Sequence, residues 1–213
     1  MNEFDKFYRL RLNMVEYQLK RRDITDKKVL DVMLKLERHK FVPMQYRENA
    51  YDDNPLPIGF GQTISQPYIV ALMTQLLELK GDEKILEIGT GSGYQAAVLS
   101  EICKEVYTIE IIPDLAIRAE QLIKELGYKN IFIKIGDGYK GWVEHSPFDA
   151  IIVTCAPDHI PQPLIEQLKD GGKMVIPVGD YYQELVLVEK RQGKVFKKSV
   201  IPVRFVPMLR EKQ

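Results

Sequence analysis

The residues in this chain best suited to chemistry fall in a few short stretches. In one of them Ile85, Leu86 and Ile88 run straight into Gly89-Thr90-Gly91-Ser92-Gly93, with Glu87 two positions ahead of the first glycine. An apolar run followed at once by alternate glycines is a buried strand opening into a tight turn. Glycine is needed there because only a residue without a Cβ lets backbone approach a ligand closely or take a positive φ. Ala96, Ala97, Val98 and Leu99 continue as a helix whose free N–H groups would face whatever the turn holds. A nucleotide-like ligand is expected. A pyrophosphate turn needs Gly-x-Gly-x-x-Gly, and the spacing here is Gly-x-Gly-x-Gly, which is the wrong period for a dinucleotide.

Other polar residues stand at the ends of apolar runs. Glu110 closes the run from Val106 at about the interval where doubly wound folds place a carboxylate on a ribose. Two adjacent hydroxyls can donate to one carboxylate, although a solvated strand end is the plainer reading. Asp137, between Gly136 and Gly138, either receives an adenine amino group or marks an ordinary turn. Ser65 lies just before Pro67, and its spacing alone favours a helix cap. His159, in the proline-bounded stretch Cys155 to Pro161, reads as a surface histidine ahead of a general base.

The elements that must position these residues follow from periodicity. Apolar runs at Ile85–Ile88, Val106–Glu110, Ile131–Ile135, Phe148–Thr154 and Met174–Val178 alternate with helical patterns, among them Asp114 to Tyr128 and Leu164 to Leu168. That order demands an α/β fold, a doubly wound and mostly parallel sheet with helices on both faces. Its ligand crevice lies outside the carboxyl ends of the strands, so the loop from Cys155 to Pro161 also borders the site. Ahead of the sheet, Phe4, Tyr8, Leu12, Val15 and Leu19 predict a helix with a solvated basic end at Lys20-Arg21-Arg22. Thr25 is placed to cap a second helix running toward Pro43, with His39 on the surface of its last turn. Pro67 starts a third, and β segments are expected at Leu185–Val188 and Val195–Met208. Residues 1–213 form one domain on this reading: helices and a ligand loop to 80, a binding core over 81–180, and terminal β segments over 181–213.

Lys plus Arg and Asp plus Glu each total 30, so no net charge draws the chain to nucleic acid or to a membrane. The two cysteines, Cys103 and Cys155, lie far apart, against a zinc site or a CxxC pair and in keeping with a reducing compartment. A charged start and no long apolar run predict a soluble cytoplasmic protein, expected as a monomer.

The string Glu87 to Gly93 resembles the first motif of the S-adenosylmethionine-dependent methyltransferases, where a carboxylate suits the ammonium of the methionyl end. Three further stretches narrow the resemblance: Asn54-Pro55-Leu56-Pro57-Ile58-Gly59-Phe60-Gly61-Gln62-Thr63-Ile64-Ser65-Gln66-Pro67, Val153-Thr154-Cys155-Ala156-Pro157, and Phe205-Val206-Pro207-Met208. Together they are similar to the protein-L-isoaspartate O-methyltransferases over residues 14 to 208. The resemblance implies that Ser65 is the active-site serine. It implies that Gln62, Thr63, Ile64, Glu87, Gly89, Thr90, Gly91, Gly93, Glu110, Asp137 and Gly138 hold S-adenosylmethionine. It further implies that Ile58, Gly61, Ser65, Thr154, Cys155, Ala156, Val206 and Pro207 surround an isoaspartyl peptide, whose methyl ester then collapses to a succinimide. Cys155, where alanine is more usual, and Leu209, where some relatives carry a polar residue, are departures expected at the substrate rim. The chemistry needs no general base, since a carboxylate with pKa near ~4 is already ionised at neutral pH. A small-molecule or RNA methyltransferase would share the glycine loop, but the balanced charge counts against RNA. A binding protein without catalysis would share it too, and a labelled methyl donor separates that case from an enzyme.

Overall fold

The computed structural model describes residues 3–211, with residues 3–5 described by their backbone. Helix α1 (Glu3–Asn13) widens into a π-helical turn at Met14–Leu19, and α2 (Lys27–Lys35) is followed by two 3-10 turns at Arg38–Phe41 and Met44–Asn49. Phe7, Met14, Val15 and Leu19 face inward, while Tyr8 is exposed; the side chain of Phe4 lies outside the described residues. The expected stripe is displaced because a charged residue sits on the buried face. Arg11 is buried, and its Nη1 donates to the Tyr51 hydroxyl at 3.4 Å. Counting apolar residues alone skipped that position and moved the stripe by one.

Two further expectations for this part are corrected. Asp26, not Thr25, caps α2, accepting from the N–H groups of Lys28 and Val29 at 2.8 and 3.3 Å. The helix ends at Lys35 with Leu36 as its C-cap, and His39 is buried on a separate turn, stacked on Phe7 at 4.0 Å and 2.8 Å from the Tyr51 hydroxyl. Burial lowers its pKa, so it is a core histidine and not a surface one.

A hairpin of β1 (Leu56–Gly59) and β2 (Gln62–Ile64) leads into α3 (Pro67–Leu76), and the sheet follows: β3 (Lys84–Ile88), α4 (Tyr94–Ser100), β4 (Glu105–Glu110), α5 (Pro113–Glu125), β5 (Ile131–Ile135), β6 (Phe148–Val153), α6 (Gln162–Gln167), β7 (Leu168–Val178), β8 (Gln183–Arg191) and β9 (Lys194–Val203). The strand order is β5-β4-β3-β6-β7-β8-β9, parallel from β5 through β7 and antiparallel beyond. The chain reverses direction between β4 and β6 on either side of β3, which makes the end of β3 the topological switch point. Strand parity sorts the core into two faces. Ile85, Val106, Ala150, Ile152 and Val175 pack with the N-terminal helices and α4; Leu86, Ile88, Tyr107, Ile109, Ile151 and Met174 pack with Leu164 of α6 and Trp142. Each valine, leucine, isoleucine or methionine side chain among them contributes roughly 1.5–3 kcal/mol on burial.

The terminal β segment stops earlier than expected. β9 ends at Val203, and Phe205 to Met208 leave the sheet to lie beside the loop after β6, where Ala156 N–H donates to Val206 O and Met208 N–H to Ala156 O, both at 2.8 Å. Among the described residues no helix is long and apolar enough to cross a membrane.

Candidate active site

The loop after β3 is held from both sides. Gly89 and Thr90 donate their N–H groups to Ile109 O at 2.8 and 3.3 Å, and Gly91 N–H donates to Glu110 Oε2 at 2.8 Å. The other carboxylate oxygen, Oε1, accepts from Ile112 N–H at 3.0 Å. Glu110 therefore ties the β3 loop to the end of β4, yet each oxygen keeps a lone pair for another donor. Burial raises its pKa and the backbone N–H groups partly offset that. Gly89, Gly91 and Gly93 all have positive φ, at 97°, 53° and 83°. At Gly89 a Cβ would also lie 2.5 Å from Thr154 Oγ1, the hydroxyl that donates to Gly89 O at 2.8 Å and closes the loop onto the end of β6.

A cavity opens above this loop. Gly89, Gly91, Glu110 and Gly138 line it at the strand ends together with Ile88, Ile109, Ile111 and Ile112; Gln62 and Thr63 of the hairpin, Thr154 and Cys155 after β6, and Val206, Pro207, Met208 and Leu209 complete the lining. Gly138 is obligatory, because a Cβ there would lie 2.3 Å from Ile88 Cγ2 and 3.1 Å from Met208 Cε. A second, wider groove lies alongside, lined by Ser65, Gln66, Tyr68, Arg22, Arg204 and Phe205 among others. Thr63, Thr154, Val206 and Pro207 line both spaces and form the wall between them. The β1–β2 hairpin supplies the cover. Ile58 is buried, with Cδ1 3.3 Å from where a Cβ on Gly91 would be, so the hairpin sits on the glycine loop. At its tip Phe60 takes a positive φ of 53°, and the Arg118 guanidinium of α5 lies 5.2 Å from its ring.

Several residues singled out by the sequence do not reach the cavity. Glu87 is fully buried behind the loop on the α4 face, with neither carboxylate oxygen hydrogen-bonded. Burial pushes it up to about 8, opposed by the nearby Thr108 hydroxyl and reinforced by the charge of Glu110. Thr90 turns inward to share a hydrogen bond with Thr108 Oγ1 at 2.7 Å, and Gly93 is the N-cap of α4. Ile58, Ile64 and Ala156 are buried and Gly61 is exposed in the hairpin turn; none of them lines either space. Asp137 receives the Tyr139 N–H at 2.9 Å and borders a separate hollow with Tyr139 and His159, which pairs with Asp158 at 2.6 Å on the surface.

Cys155 and Leu209 line the first cavity and not the groove, so the departures expected at the substrate rim fall on the other side of the wall. The Cys155 thiol is pushed up by burial and then by the charges of Glu110 and Glu87, which keeps it protonated. Arg22, read as part of a solvated helix end, is a groove residue, as are Tyr68 and Ile201. Nothing in local spacing connects residue 22 with residue 201; the basic run was the one visible signal.

Residues 10–213 match the family described as protein-L-isoaspartate(D-aspartate) O-methyltransferase. A protein-L-isoaspartate O-methyltransferase of Opitutus terrae is 59% identical over 204 residues, 95% of this chain and 88% of that protein. A solved protein-L-isoaspartate O-methyltransferase superposes with a TM-score of 0.83 at 29% identity, covering 92% of this chain and 65% of that one. A Plasmodium falciparum structure described as a putative protein-L-isoaspartate O-methyltransferase, in complex with S-adenosyl-L-homocysteine, gives a TM-score of 0.82 at 29% identity over 96% of this chain and 99% of that one. With a motif-bearing loop at the switch point, two spaces meeting at one wall and a family match over nearly its whole length, the chain belongs to the protein-L-isoaspartate(D-aspartate) O-methyltransferase family.

Proposed function

We propose that the protein transfers a methyl group from S-adenosylmethionine to the free carboxylate of L-isoaspartyl residues in peptides and proteins, which starts their repair through a succinimide. The observation that carries this reading is the shared wall. Thr63, Thr154, Val206 and Pro207 line both the cavity beneath the hairpin and the groove that holds Ser65, so a donor in one can meet an acceptor in the other.

The residues of the first cavity suit S-adenosylmethionine. Glu110 retains acceptor capacity for ribose hydroxyls, Gly138 leaves space that a side chain would fill, and Glu87 is a buried carboxyl without a partner close behind the loop. When bound, that molecule supplies a methyl group on a cationic sulfur. The chain's own part is alignment. Ser65, half-buried in the groove, donates a hydrogen bond that aims the acceptor carboxylate; no side chain takes a proton, because none is released. Orientation of this kind recovers roughly 7–11 kcal/mol of barrier. The hairpin over the glycine loop keeps water from the reacting pair.

The partners on this reading are isoaspartyl peptides and proteins, met by a monomer in the cytoplasm, with neither nucleic acid nor membrane involved. A matched pair of peptides, one isoaspartyl and one aspartyl, incubated with labelled methyl donor tests the function. Incorporation confined to the isoaspartyl peptide is expected, and equal labelling of both would overturn the proposal.

A further inference from the structure

The groove carries a charge bias that the chain as a whole lacks. Lys plus Arg equals Asp plus Glu in the sequence, whereas the charged residues lining the groove, Arg22 and Arg204, are both cationic and no carboxylate is among them. Arg22 is fixed in place: its guanidinium lies 3.6 Å from the Tyr68 ring centroid, and Nη1 meets Asp53 Oδ2 at 2.5 Å. Asp53 does not line the groove and occupies one part of a five-donor fork. Arg204 is exposed and makes no ion pair among the described residues.

Neither arginine lines the methyl-donor cavity, and the shared wall is neutral: two threonines, a valine and a proline. Methyl transfer explains that division. The methyl carbon leaves a sulfonium and bonds to a carboxylate oxygen, so a cation and an anion become a thioether and an ester and no proton moves. A guanidinium fixed on the acceptor carboxylate would favour the ionic ground state over the less charged transition state and slow the reaction. Placed off the wall, the same guanidinium can act on charges elsewhere along the peptide, where they persist through the reaction.

We infer that Arg22 and Arg204 are specificity residues that select isoaspartyl peptides carrying an acidic residue beside the damaged position. This rests on the function proposed above. Arg204, exposed and without an ion pair among the described residues, offers an extended peptide a full cationic charge, and Arg22, its charge offset by Asp53, offers the remaining donors of its stacked guanidinium; screening by salt is the signature of such contacts.

The test uses three isoaspartyl peptides that differ at one flanking position, Glu, Gln or Lys, each in labelled form for binding by fluorescence anisotropy and unlabelled for methyl incorporation. At low salt the Glu peptide is expected to bind and react with roughly three- to tenfold better Kd and kcat/KM than the Gln peptide, and the Lys peptide less well than either. The preference shrinks toward unity near 1 M salt. Arg204→Gln lowers the Glu/Gln ratio without touching an ion pair, Arg22→Gln with Arg204→Gln brings it near one, and Arg22→Lys retains part of it. Equal binding of the three peptides, or a preference that survives the double substitution, overturns the inference. Failure of all three to accept methyl while the binding preference holds counts instead against the proposed reaction, so the two failures are distinct.

Discussion

The two spaces that meet at the shared wall are built in opposite ways. The base of the first cavity comes from strand ends of the parallel sheet, the loop after β3, Glu110 at the end of β4, Gly138 after β5 and Thr154 after β6, with the hairpin and the segment from Val206 to Leu209 completing its lining. Its shape is fixed by backbone, through positive φ at three glycines and N–H groups donated to Ile109 O and Glu110. The groove is instead assembled from side chains on distant pieces of chain, from Arg22 through Ser65 and Tyr68 to Ile201 and Phe205. A site made from backbone tolerates almost no change at a few positions. One made from side chains should degrade by degrees.

Gly138→Ala is the sharpest way to break that contrast. The new Cβ would lie 2.3 Å from Ile88 Cγ2, on a side chain anchored in the sheet, and 3.1 Å from Met208 Cε. Overpacking of this kind typically destabilises by about 1–3 kcal/mol and shifts backbone. Calorimetry with S-adenosylhomocysteine is expected to show affinity reduced by two orders of magnitude or more, with a lower Tm. Affinity within threefold of the parent would mean that the cavity yields as readily as the groove.

Glu87 probes the rigid region through pH. In the folded protein its proton is held up to about pH 8, whereas in the unfolded chain it leaves near the ordinary 4.5. Between those values the folded state binds the extra proton, so this contribution to stability is fully present below about 4.5 and is lost as pH rises through 8. Glu87→Gln removes the titration. Its Tm relative to the parent should improve from pH 5 to pH 9, corresponding to on the order of 4 kcal/mol at most. A Tm difference that stays constant over that range would show that Glu87 does not titrate there.

In the groove, Ser65→Ala is expected to lower kcat roughly 10- to 100-fold, the range for one hydrogen bond to a charged group, with S-adenosylhomocysteine affinity unchanged. Matched losses in both would place the serine on the wrong side of the wall.

The same contrast explains what the sequence reveals. A backbone-built site leaves a local record, because the glycines, the strand before them and the acid at the next strand end fall in fixed order; the sheet, its parallel core and the cavity floor could all be read from residues 84 to 178. Side-chain sites leave little such record. Arg22 could not be placed in one groove with Ile201, nor Cys155 assigned to one side of a wall, until the chain was folded. His39 was misread and Arg11 passed over for a related reason. Polar residues that turn inward to meet Tyr51 carry the same letters as those that turn to water, and only the tertiary partner separates them.

The hairpin belongs to both regions, which makes it the most sensitive place to refine the comparison. It reaches the rigid loop through Ile58 on Gly91 and the groove through Thr63, and its tip is held to α5 by Arg118 over Phe60. Phe60 is half-exposed, so the contact is a solvent-facing cation–π pair worth about 0.5–1 kcal/mol. Arg118→Ala should then speed dissociation of S-adenosylhomocysteine by roughly two- to fivefold and leave Tm nearly unchanged, because the pair stabilises the closed hairpin and not the sheet. Stopped-flow dissociation measures this directly. An unchanged rate would mean that Ile58 alone holds the cover, and the hairpin would then count with the backbone-built cavity; a faster rate at constant Tm counts it with the side-chain-built groove.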